Sequence, residues 1–85
     1  MMNVNFRFGE AVYNGGTEYR FHAYFEYSKS DRTAIVLYRP SDGTYVVGKN
    51  FEVTGPHSVS WCWGNYDFHD CDDAYTVARA WVFSK

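Results

Sequence analysis

Ser58-Val59-Ser60-Trp61-Cys62-Trp63-Gly64 is followed, after the short bridge from Asn65 to Asp70, by Cys71-Asp72-Asp73-Ala74-Tyr75-Thr76-Val77-Ala78-Arg79-Ala80-Trp81-Val82-Phe83. The hydrophobic period changes between these two runs. In the first, Val59, Trp61 and Trp63 alternate with Ser58, Ser60 and Cys62, the pattern of a strand with one buried face. In the second, apolar residues recur at 71, 74, 75, 78, 81 and 82, which is one stripe of an α-helix. Asp70 stands where an N-cap is needed, and Asp73 follows at the third helical position, a relative of the capping box. Asp72 and Asp73 in the first turn, with Arg79 and Lys85 towards the end, complement the helix dipole. The spacing predicts one helix over 71–83.

Upstream of residue 58 the period of two persists. Val4, Phe6 and Phe8 alternate with polar neighbours. Gly9 interrupts, and Glu10 to Tyr13 resume the run. Asn14-Gly15-Gly16 is a hairpin turn, since these residues tolerate positive φ. Residues 17–28 form the longest strand run, with Tyr19, Phe21, Ala23, Phe25 and Tyr27 on one face and Glu18, Arg20, His22, Tyr24 and Glu26 on the other. Thr33 to Arg39 is β-branched and apolar, as in a central strand. Pro40-Ser41-Asp42-Gly43 is a turn. Thr44 to Val53 is a fourth strand with a bulge at Gly48, and residues 58–63 are the fifth. Short connections favour antiparallel neighbours. The expected fold is α+β: a mainly antiparallel five-stranded meander with one C-terminal helix on one face, in a single compact domain over residues 1–85. The expected core packs Ala74, Tyr75, Ala78 and Trp81 on Phe21, Phe25, Ile35, Leu37 and Trp61. The other face of the sheet is then left wet, self-associated or used.

Of the 85 residues, eight Tyr, seven Phe and three Trp are aromatic. A domain this small has a thin core, and this many rings exceed what one small core hides. Surplus Tyr and Trp on a rigid sheet make a recognition surface. The net charge is −2 and the pI about 5.8, which argues against nucleic acid. The last 35 residues carry two Lys/Arg against five Asp/Glu, and four of those acids are Asp67, Asp70, Asp72 and Asp73. Helix capping and dipole complementation account for three of the four; Asp67 precedes the cap. No apolar run reaches the length of a membrane helix. With two cysteines and no visible leader, a reducing, cytoplasmic setting is expected.

His57, Cys62, His69 and Cys71 are residue types that bind zinc, but their spacing fits no common finger. No phosphate loop, G-x-S-x-G, HExxH or GxGxxG occurs. The chain is therefore expected to be non-enzymatic, with no cofactor or metal. It is expected to bind another protein that presents a basic surface, through Trp63, Tyr66, Asp67, Phe68, Asp72 and Asp73. Arg20, His22 and Tyr24 on the sheet form a second candidate surface. The alternative is a homodimer that binds a small molecule or nucleotide. In general style the chain looks like small phage-encoded inhibitors of a host enzyme or defence system, anti-CRISPR proteins among them. No residue is carried over from that likeness.

Overall fold

The computed structural model describes residues 4–84. Seven strands, β1 (Ala11–Asn14), β2 (Thr17–Glu26), β3 (Thr33–Arg39), β4 (Thr44–Lys49), β5 (Glu52–Gly55), β6 (Ser58–Ser60) and β7 (Trp63–Phe68), precede one helix, α1 (Cys71–Phe83). The α+β class and the C-terminal helix are as expected. The sheet is not the expected five-stranded antiparallel meander. It has seven strands in the order β5-β6-β1-β2-β3-β4-β7 and is mixed, because β1 and β6 meet in parallel at Tyr13 and Ser58.

Two of the expected strands are each cut in two. The fourth breaks after Lys49, where Asn50 takes φ 53°. The fifth breaks at Trp61 and Cys62, and pairing resumes along β4 as far as Phe68. Val4 and Phe6 lie against the core without joining the ladder, and Phe8 is exposed.

These breaks roll the sheet. β4 and β5 stand five places apart in the strand order, as do β6 and β7. In a flat sheet five spacings would separate them by about 24 Å. Yet only Asn50 and Phe51 join the first pair, and only Trp61 and Cys62 the second. Three Cα steps reach at most about 11 Å. The sheet must therefore curl into an open barrel, with β5 and β7 as its two edges.

The curl gives the molecule two cores. Val12, Tyr19, Phe21, Ile35, Leu37, Val46, Phe51 and Val59 fill the inside of the roll. Ala34, Val36 and Val47 lie on the outside, where Ala74, Ala78 and Val82 of α1 cover them. The expected core is thus corrected. Phe25, Tyr75 and Trp81 do belong with the helix, but Phe21, Ile35, Leu37 and Trp61 pack on the opposite side. The face without a helix is covered by the sheet's own far strands.

Two local features make this possible. His22 is an extra residue in the β2–β3 ladder, since Phe21 pairs with Leu37 and Ala23 with Val36. A bulge of this kind reverses the in–out alternation beyond it. Tyr24 therefore turns inward onto Phe51, and Phe25 outward onto Tyr75. Gly48 is not a bulge: it pairs with Gly64 across β4 and β7. A Cβ at Gly48 would lie 2.7 Å from the Trp61 ring, and one at Gly64 2.5 Å from the Tyr66 hydroxyl. The glycine pair is the floor on which these two rings lie, joined by a Trp61 Nε1–H bond to the Tyr66 hydroxyl of 3.0 Å.

Candidate functional site

Strand β7 and helix α1 place the residues singled out in the sequence. Asp70 caps the helix: its carboxylate accepts the Asp72 N–H at 2.8 Å. The Asp72 carbonyl is taken by the Thr76 hydroxyl, and the carboxylates of Asp70, Asp72 and Asp73 face solvent. No described cation forms an ion pair with these three, whereas Glu18, Asp42 and Asp67 each meet an arginine. Among the described residues, the negative charge at the start of α1 is therefore met by no cation.

Asp67 belongs to a different group. It takes φ 68° and pairs with Arg39 at 2.8 Å. Arg39 also grips Asp42 with two nitrogens, at 3.1 and 2.7 Å, donates to the Thr44 hydroxyl, and lies over the Tyr66 ring. Tyr66 itself is 45% exposed. Hydrogen bonds from Arg39 and Thr44 hold the Asp42 carboxyl down at about 2, and the bond to the Asp42 carboxylate pushes the Arg39 guanidinium up. Because the Asp42 value falls on folding, its contribution to stability is complete above its unfolded value of 3.8 and is lost as pH drops through about 2. An NMR titration of the Asp42 side chain should show an ionised carboxylate at pH 3. A midpoint near the ordinary value would mean that the Arg39 grip is absent in solution.

Trp63 lies at the other end of β7. It is 59% exposed and meets Trp81 edge-on, with ring centres 6.0 Å apart. The Arg32 guanidinium is 4.6 Å and the Lys49 ammonium 5.0 Å from the centre of the Trp81 ring. Arg32 also donates to the Trp81 carbonyl and to the Ser84 hydroxyl, while Ser30 donates to the Val82 carbonyl. The β2–β3 connection thus closes the helix end. Arg79 instead lies over Phe25 and Tyr75, and Lys85 is outside the described residues.

The expected 63–73 surface is therefore divided. β7 spans about 20 Å at the usual rise, and α1 runs back along it. Trp63 stands in a cationic neighbourhood, Tyr66 and Asp67 on the Arg39 network, and Asp70, Asp72 and Asp73 at the far end. Phe68 is half-buried and packs towards the helix core. Arg32, Lys49 and Arg39 went unselected in the sequence. Only Arg39 left a local trace, the i,i+3 spacing to Asp42 across a turn.

The second candidate surface is also divided. Arg20 is exposed, pairs with Glu18 at 2.7 Å and donates to the Gly9 carbonyl. His22 sits among Phe8, Tyr38 and Tyr45, with ring centres 4.6, 6.4 and 5.3 Å away, and burial lowers its pKa. Tyr24 faces the barrel interior.

Of the metal-type residues, Asp70, Cys71 and Asp72 have ligand atoms within 4.8 Å of one another, an arrangement that helix capping already explains. His57 meets Glu10, and Cys62 and Cys71 are free thiols. A depression of about 710 Å³ is lined, among the described residues, by the facing ends of β2 and β3 and the connection between them. No helix among the described residues is long and apolar enough to cross a membrane. Comparison of the chain with protein-family models, with curated proteins and with solved structures finds no match.

Proposed function

We propose that this chain is a protein-binding module without chemistry of its own, acting as a stoichiometric binder or inhibitor of a partner that presents a basic surface. The observation that carries the reading is strand β7: it closes one edge of the sheet, no described strand pairs with its outer side, and it displays Trp63 and Tyr66 to solvent. Trp, Tyr and Arg are the residues that most often anchor protein interfaces. The strand leads directly into the uncompensated carboxylates of Asp70, Asp72 and Asp73, which would steer a basic partner and fix its register.

Asp72 and Asp73 are the clean probes of this surface. Asp70 is spent on the cap, and Asp67, itself in a left-handed conformation, is paired with Arg39. Reversing Asp72 and Asp73 to Lys should cost about 1–4 kcal/mol of stability, since each replaces a dipole attraction of about 0.3–1 kcal/mol with a repulsion of similar size, and should leave the chain folded. Binding to the partner, named by capture from the native host, should weaken about tenfold or more, and wild-type binding should weaken as salt rises. Unchanged affinity in Asp72→Lys/Asp73→Lys would confine these carboxylates to the helix start.

A further inference from the structure

We infer that β7 is also the contact by which two copies of this chain pair across a two-fold axis, with the strands antiparallel. An edge strand presents a row of open N–H and C=O groups. Along β7 the backbone bonds run to β4, and none reaches any other described residue. The devices that usually guard such an edge are missing from its first four residues, Trp63 to Tyr66, which contain no Pro, no Lys and no charge. The guard comes only at Asp67, whose left-handed backbone ends the regular ladder.

The charges beside the strand select the orientation. At its Trp63 end stand Lys49 and Arg32, both on the Trp81 ring and neither in an ion pair with a described acid. Beyond its Phe68 end stand Asp72 and Asp73, equally without a cation among the described residues. A parallel pairing would set like charges together. An antiparallel two-fold sets the acidic end of each copy beside the basic end of the other, and does so twice. It also covers both exposed Trp63 rings. Directly opposed residues share a face of the sheet, so the outward-facing Asn65 lies at or next to the axis.

This pairing uses the strand assigned above to partner binding, but it is tested on the chain alone, so the two readings fail separately. A dimer would shield the edge until a partner displaces the second copy. Sedimentation of the full chain over a wide concentration range should show reversible conversion of a 9.9 kDa species to one of twice that mass, weakening as salt rises. Lys49→Glu and Asp72→Lys should each weaken the dimer roughly five- to tenfold, because each change acts twice across the axis. The double variant Lys49→Glu/Asp72→Lys should recover most of the loss. Asn65→Lys, at an exposed position opposite Val47 of β4, should disrupt pairing, and at dilutions where both chains are monomeric its melt should match that of wild type. A chain that stays monomeric at all concentrations overturns the inference. So does a dimer indifferent to Asn65→Lys, or single reversals that the double variant does not repair.

Discussion

Leu37→Ala should lower folding stability by about 2–5 kcal/mol. Leu37 is fully buried on β3, on the face away from the helix. If that face were merely the wet side of a flat sheet, the change would remove a few exposed methyl groups and cost little. In the rolled sheet it opens a cavity between β2, β3 and the residues carried round by β5 and β6. Collapse around such a cavity is limited, because Ile35 is held by strand pairing on both sides and Val46 is paired with Leu37 itself across β3 and β4. Total stability in domains of this kind is about 5–15 kcal/mol, so the variant stands near the edge of folding. Denaturant unfolding with an unchanged slope gives the loss directly. A midpoint within error of wild type would mean that the sheet is not closed over Leu37.

Trp81→Ala should cost about 3 kcal/mol, at the low end of the range for large aromatic truncations. The ring is only partly buried, but it joins three elements: α1 carries it, Trp63 of β7 meets its edge, and Arg32 and Lys49 lie over it. Its Nε1–H is buried with no acceptor among the described residues. An orphaned donor carries a desolvation cost, so Trp81→Phe should be far milder than Trp81→Ala, despite the smaller ring. Thermal melts of the two variants separate packing from hydrogen bonding. Equal losses in both would mean that the indole N–H has a partner after all.

The helix was legible because its signals are local. The stripe from Cys71 to Val82 and the cap at Asp70 lie within one turn of the residues they organise, and α1 spans Cys71–Phe83. The sheet's closure was not legible, because it depends on where β5 and β6 land, and that is a long-range matter. The bulge at His22 was hidden by composition. Tyr24 and Phe25 are both aromatic, so reversing the alternation leaves no break in the pattern. The pattern places a bulge at Gly48 inside one continuous strand, whereas the strand breaks at Asn50, which takes the left-handed conformation, and Gly48 serves as a floor for Trp61. Strand β7 was overlooked beyond Trp63, because an edge strand with Gly64, Asn65 and Asp67 buries too little to show a period. Charge clusters were legible as clusters but not as surfaces. Asp67 stands three residues from Asp70 in sequence, yet it is neutralised by Arg39 from β3.

The most direct test is capture of the partner from the native host, followed by titration of that partner with wild type and with Asp72→Lys/Asp73→Lys. The expected result is one stoichiometric partner, bound in a salt-dependent manner, whose affinity falls about tenfold or more in the double variant while both proteins remain folded at the assay temperature. Failure to retain any protein, or equal binding by the double variant at every salt concentration, would contradict it.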